Sequence, residues 1–133
     1  MNRTRQDAKL TVTTALPAQN TTGNGTSIDL EAVTAANLPE AIQLEVSVPA
    51  TAALADGQTI TVALHDSADN SSFAAIAGLS TLVITGAGGV GAAAASRKVP
   101  LPNATRRYVR AVYAMSATTG DNTAVSAKLK ILT

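Results

Sequence analysis

Apolar residues recur at every second position almost wherever a period can be read in this chain. Ile42, Leu44, Val46 and Val48 alternate with Gln43, Glu45 and Ser47, and the run stops at Pro49. Ile60, Val62 and Leu64 alternate with Thr59, Thr61 and Ala63, and Leu10 and Val12 alternate with Thr11 and Thr13. Val125, Ala127, Leu129 and Ile131 alternate with Ser126, Lys128 and Lys130. Successive side chains of a strand point to opposite sides, so each run sets one face on a core and the other in water or against a partner. The inward set predicted is Ile42, Leu44, Val46, Ile60, Val62, Leu64, Leu129 and Ile131. A slip of one residue would reverse every inward and outward assignment, so the pattern constrains register as well.

Shorter strand candidates fill the gaps: Thr26 to Leu30, Phe73 to Ile76, Leu79 to Thr85, Arg97 to Leu101 and Arg107 to Met115. Threonine is abundant and favours strands through its β-branch. Turn signals separate them at Asn20 to Gly25, Ala55 to Gly57, Ser67 to Ser72, Gly86 to Gly91, Pro100 to Asn103 and Thr119 to Asn122. The Ala92 to Ala95 run and Glu31 to Ala41 are each long enough for a helical turn or two and too short for a helical layer. The fold expected is all-β: a single antiparallel β-sandwich, jelly-roll-like. Residues 1–9 read as a polar N-terminal arm, flexible unless bound, and residues 10–133 as one β-sandwich domain.

The chain has 46% hydrophobic but only 2% aromatic residues, namely Phe73, Tyr108 and Tyr113. Its core must be built from Val, Leu, Ile and Ala, which bury little area each at roughly 25 cal/mol per Å². Modest stability is expected for a lone subunit, with self-association or docking adding to it. Cysteine is absent, which excludes disulfides, zinc ribbons and thiol catalysis. No segment approaches about 18 consecutive apolar residues, so no membrane-spanning helix is expected. The charged start of the chain has no apolar stretch behind it and is not expected to be a signal peptide.

Charge is segregated along the sequence. No Lys or Arg lies between Leu10 and Ser96, a stretch that holds Asp29, Glu31, Glu40, Glu45, Asp56, Asp66 and Asp69. The bases lie outside it: Arg3, Arg5, Lys9, Arg97, Lys98, Arg106, Arg107, Arg110, Lys128 and Lys130. The asymmetry favours association with like chains or with a charged lattice, unless the sheets interleave the two halves. A formal net charge of +1 and few stacking residues argue against nucleic acid as a partner.

Three groups of residues invite a chemical reading. Gly86-Ala-Gly-Gly-Val-Gly91 matches the G-x-G-x-x-G pattern after a strand-like Leu82 to Thr85. Dinucleotide binding needs a helix of some ten residues next and an acid about 20 residues on. Pro100 and the basic run Arg106 to Tyr113 occupy those places, so a connecting loop is expected and no cofactor. His65, the only histidine, precedes Asp66 and Asp69, without the spacing of a zinc site, an EF-hand or a nucleophile elbow. The loop Asp66 to Ser72 is expected to be a structural turn, with an adventitious calcium ion and catalysis as the alternatives. Arg106, Tyr108 and Arg110 share one face of an extended segment, and Arg107, Val109 and Ala111 the other. A solvated face and a protein contact are both open readings of that cluster.

Gln58-Thr-Ile-Thr-Val-Ala-Leu-His-Asp-Ser-Ala-Asp-Asn-Ser-Ser-Phe73 resembles a strand–turn–strand unit of the cement, or decoration, proteins of tailed-bacteriophage heads. Ser27 to Leu30 and Arg106-Arg-Tyr-Val-Arg-Ala-Val-Tyr113 extend the likeness to the jelly-roll members of that class. The resemblance implies a non-enzymatic virion protein on the outer surface of the capsid, assembled in the host cytoplasm. No cofactor, no membrane and no nucleic acid are expected. Its implied partners are the major capsid protein and further copies of itself, as a dimer in preference to a trimer. The capsid or subunit contacts expected are Arg3, Arg5, Arg106, Arg107, Tyr108 and Arg110. The alternative is a β-sandwich module that binds carbohydrate or a receptor, for which only Tyr108 and Tyr113 could offer aromatic platforms.

Overall fold

The structure is a computed structural model that describes residues 11–30, 43–76, 79, 81–101, 105–116 and 120–132. Ten strands run in chain order: β1 (Thr11–Ala15), β2 (Thr22–Asn24), β3 (Ile28–Asp29), β4 (Gln43–Val48), β5 (Thr59–Ser67), β6 (Ala74–Ala75), β7 (Leu82–Thr85), β8 (Ala95–Pro100), β9 (Tyr108–Met115) and β10 (Ser126–Leu132). One sheet has the order β1-β10-β4-β8 and the other β2-β9-β5-β6, with β3 also on β9 and β7 also on β5. All these pairings are antiparallel. No helix occurs among the described residues.

The wiring is that of a jelly roll. β1 pairs with β10, β2 and β3 with β9, β4 with β8, and β5 with β6 and β7, a nested set that forms one long antiparallel ribbon. Rolling that ribbon brings β10 onto β4 and β9 onto β5, which divides it into two facing sheets. The alternating residues meet between them. Leu44, Ile60, Leu129 and Ile131 are fully buried, and Val46, Val62 and Leu64 nearly so, as the period-two reading requires. Ile42 lies outside the described residues. The core also takes Leu16, Leu54, Val109, Ala111 and Tyr113.

Two local expectations are corrected. Thr22–Asn24, inside the expected turn Asn20 to Gly25, is a strand. Its side chains are polar, but β9 offers it a backbone ladder from Val112 to Ala114, and the ladder does not depend on side-chain polarity. The Ala92 to Ala95 run is not helical: Ala92 bridges Thr51 and Ala95 opens β8. The register that joins β4 to β8 continues through that bridge, so the alanines carry the sheet onward instead of winding into a turn. Glu31 to Ala41 lies outside the described residues.

The glycine motif is a packing device. Gly86 N–H donates to Gln58 C=O at 3.0 Å, Gly57 N–H to Gly86 C=O at 2.9 Å, and Gly89 N–H to the Asp56 carboxylate at 2.9 Å. Gly91 has φ +77° and lies so close to the Thr51 carbonyl and Ala52 backbone that a Cβ would collide with both. The loop therefore docks on residues 51–57, and a bridge and then a strand follow it where phosphate binding would need a helix N-terminus.

Candidate functional site

The arginine-rich segment enters β9 beside the end of β5, and the pairing of these strands decides what each arginine meets. Asp66 follows the inward parity of Ile60, Val62 and Leu64, so its carboxyl is carried to the rim of the core and buried. A buried carboxylate is costly unless it is paired and hydrogen-bonded. Arg106 does both. Its Nη2 donates to Asp66 Oδ1 at 2.6 Å and to the Asp66 carbonyl at 2.8 Å, its Nε to Oδ1 at 3.0 Å, and its backbone N–H to Oδ2 at 3.0 Å. Burial alone would raise the Asp66 pKa, but the Arg106 hydrogen bonds and charge together hold it below the ordinary carboxylate value.

Arg107 grips Asp29 with two parallel bonds, Nε to Oδ1 and Nη2 to Oδ2, each 2.9 Å, and its guanidinium lies 5.0 Å from the centre of the Tyr108 ring. Arg110 stacks on Phe73 at 3.8 Å from the ring centre, a cation–π contact, and faces His65 across the ladder. Burial lowers the His65 pKa, the charge of Arg110 lowers it further, and Asp66 opposes them, so the neutral imidazole is favoured. Arg106, Tyr108 and Arg110 do not form the bare basic stripe that their spacing suggests. Each is tied to a neighbour, although the side chains of Arg106 and Arg107 keep 42% and 45% of their surface exposed. Arg3 and Arg5 lie outside the described residues.

These ties also answer the charge segregation. Arg106–Asp66, Arg107–Asp29 and Lys130–Glu45 each join a base from the last third of the chain to an acid from the stretch between Leu10 and Ser96 that holds no Lys or Arg. The sheets interleave the two halves, and much of the polarity seen along the sequence is spent within the fold. Sequence reasoning had the arginines but not their partners. The period-two parity of Asp66 and Arg110 was readable, whereas the pairing of β5 with β9 was not.

The loop after β5 is an Asp-centred turn. Asp69 Oδ1 accepts from Ser72 N–H at 3.0 Å, Ser71 N–H at 2.9 Å and the Ser67 hydroxyl at 2.9 Å, in that order of effect lowering its pKa to about 2. Asn70 adopts φ +61° and accepts from the Ser27 hydroxyl at 2.7 Å. Among the described residues, no three His, Cys, Asp or Glu side chains gather as a metal site would require. Tyr113 is 1% exposed, which removes it as a sugar platform and leaves only Tyr108, already stacked against Arg107.

The Arg106–Asp66 unit should carry measurable stability. Arg106→Ala leaves a buried carboxylate with one backbone donor and should cost about 2–3 kcal/mol near neutral pH. The Asp66 pKa is depressed in the fold, so this contribution is present above the unfolded value and disappears as pH falls through the folded one. Urea unfolding of both proteins at pH 7 and in the acid range should therefore converge on acidification. Equal losses at both pH values would show that the pair is not the source.

The model of one protein family, described as Bbp16, matches residues 10–131. No curated protein matches the chain.

Proposed function

Because the chain belongs to the Bbp16 family, a phage-related one, we propose that it is a structural virion protein that binds the outer surface of a phage capsid and reinforces the shell. The observation that carries this reading is the extent of the match, which spans every described strand except the last residue of β10. The jelly roll agrees with it, since double-sheet β-domains of this kind recur in viral capsids. The cluster at the start of β9 supplies planar guanidinium groups that are held in place yet partly exposed, as a protein contact uses them. In this reading the protein is not an enzyme, holds no cofactor, and has the major capsid protein and its own copies, as a dimer in preference to a trimer, for partners.

Exposed ion pairs contribute only about 0–1 kcal/mol each, so affinity would come mainly from apolar and backbone contacts while charge steers docking. The arm at residues 1–9, with Arg3, Arg5 and Lys9, is assigned the role of a clamp that orders on the shell. Co-sedimentation with purified shells across a salt series tests both points. The full chain should pellet with shells, and a chain lacking residues 1–9 should be retained less while its unfolding transition stays unchanged. No pelleting of the full chain overturns the capsid assignment, and equal retention of the two chains overturns the clamp alone.

A further inference from the structure

We propose that Asn24–Gly25 is a self-modification site, at which the chain deamidates and isomerises at a rate set by the β2–β9 pairing. It is the one Asn-Gly step in the sequence. In such a step the successor amide nitrogen attacks the asparagine side chain, and glycine leaves that nitrogen unshielded because it has no Cβ. Asn24 ends β2 and is exposed, and its side-chain amide has no hydrogen bond among the described residues. The reacting carbon is open to water and untethered.

Other steps are less suited. Asn70 and Asn122 precede Ser71 and Thr123, whose side chains crowd the attack and whose N–H groups are held by Asp69 and Asp121, each at 2.9 Å. Asp56–Gly57 has the glycine but would have to expel hydroxide instead of ammonia, and its carboxylate accepts from Gly89 N–H.

The reaction balances with water as the sole co-reactant. Solvent base takes the Gly25 N–H proton, the nitrogen bonds to Asn24 Cγ, and the side-chain nitrogen leaves as ammonia. Water then opens the resulting succinimide. Cleavage at the former side-chain carbonyl yields an aspartyl residue. Cleavage at the main-chain carbonyl yields an isoaspartyl residue, whose main chain runs through Cβ.

The fold resists this chemistry at two points. Gly25 N–H donates to Ala111 C=O at 2.7 Å, so its proton is held and its nitrogen faces β9. Ring closure also requires Asn24 Cβ and Gly25 N to eclipse about the Cα–C bond, which an extended residue does not permit. Reaction thus waits for β2 to leave β9. That opening is local, because β2 is a short edge strand of polar residues and glycine with a ladder on one side.

The isoaspartyl product makes the opening permanent. Thr21 with Met115 and Gly25 with Ala111 are bonding pairs, so Gly23 with Tyr113 between them is one too. Asn24 therefore has a hydrogen-bonded rung on either side. An extra main-chain carbon at this residue breaks the spacing of the two rungs, and the edge of β9 at Val112 and Tyr113 stays uncovered.

The test incubates the full protein in mildly alkaline buffer, folded and in unfolding urea, and locates products by peptide mass spectrometry with isoaspartyl-specific fragmentation. Hydrogen exchange of the Gly25 amide is followed by NMR in the same buffer. The unfolded chain should gain the mass of deamidation first at Asn24, and the folded chain at least tenfold more slowly. That slowing should match the exchange protection of Gly25 N–H within about threefold, because both base-catalysed reactions need the same proton released. Asn24→Ser should abolish the mass gain at this step. Gly23→Pro removes a bond to β9 and should speed deamidation and Gly25 exchange by the same factor. If that variant does not fold, a series of urea concentrations below the unfolding transition gives the same comparison. The isolated isoaspartyl form should lose Gly23 and Gly25 protection at least tenfold.

Equal rates in folded and unfolded chains, or a rate that does not follow Gly25 exchange, overturn the gating. Absence of the product at Asn24 in the unfolded chain overturns the site. Full protection in the isoaspartyl form overturns the lasting release of β2. None of these outcomes depends on capsid binding.

Discussion

Gly91→Ala should lower the unfolding free energy by about 3–4 kcal/mol, an unusually large loss for the addition of one methyl group. Two effects combine at this position. The left-handed backbone, at φ +77°, disfavours any residue with a Cβ, and the added atom would strike the Thr51 carbonyl and the Ala52 backbone. The loop would have to lift from residues 51–57, breaking the paired bonds between Thr51 and Ala92 at 2.9 and 3.1 Å. Gly57 provides the internal control. Its φ is +79°, yet nothing lies within 4 Å of the position a Cβ would take. Gly57→Ala should therefore cost only the backbone preference, about 1–2 kcal/mol. Urea unfolding of the two variants separates the terms, and equal losses would show that the close approach to Thr51 carries no weight.

Tyr113→Ala should cost about 3–5 kcal/mol, the usual range for emptying a buried aromatic site. Tyr113 sits on β9 between β2 and β5, and it has the greatest volume of the fully buried side chains. The surrounding core is aliphatic and small, so few long side chains can swing in to fill the space. A Cβ at Gly25 would only touch the ring, 3.5 Å from Tyr113 Cε2, and the close approach there is to the Ala111 carbonyl at 2.9 Å. Tyr113→Phe keeps the volume and isolates the hydroxyl. Burial pushes the phenol pKa up to about 12. A folded value above the unfolded one means that the native state holds the proton longer, so stability is lost as pH rises from about 10 toward 12. The phenylalanine variant lacks that loss, and thermal melts between pH 9 and 11 should diverge in its favour. Parallel melts would place the phenol in contact with water.

The alternating runs made the sandwich legible because period two is a property of the strand itself. Leu44, Val46, Ile60, Val62, Leu64, Leu129 and Ile131 face inward as their spacing requires. β2 was poorly legible because it is a short, polar edge strand, held by a partner's ladder instead of its own pattern. The same limit hid the arginine partners. Asp29, Asp66 and Phe73 reach Arg107, Arg106 and Arg110 only after distant strands have paired.

The nested pairing has a consequence for synthesis on the ribosome. β1 can take its place only against β10, with Thr11 opposite Lys130 and Ala15 opposite Ser126. A growing chain thus emerges with its first strand unmatched, and β4 waits for both β8 and β10 while β5 waits for β9. Contacts so distant along the chain close slowly, in the range of milliseconds to seconds for β-rich domains. Until β10 clears the exit tunnel, the inner faces of β4 and β5 stay open to neighbouring nascent chains and to chaperones, so a ribosome stalled before Ser126 would display an aggregation-prone half-sandwich.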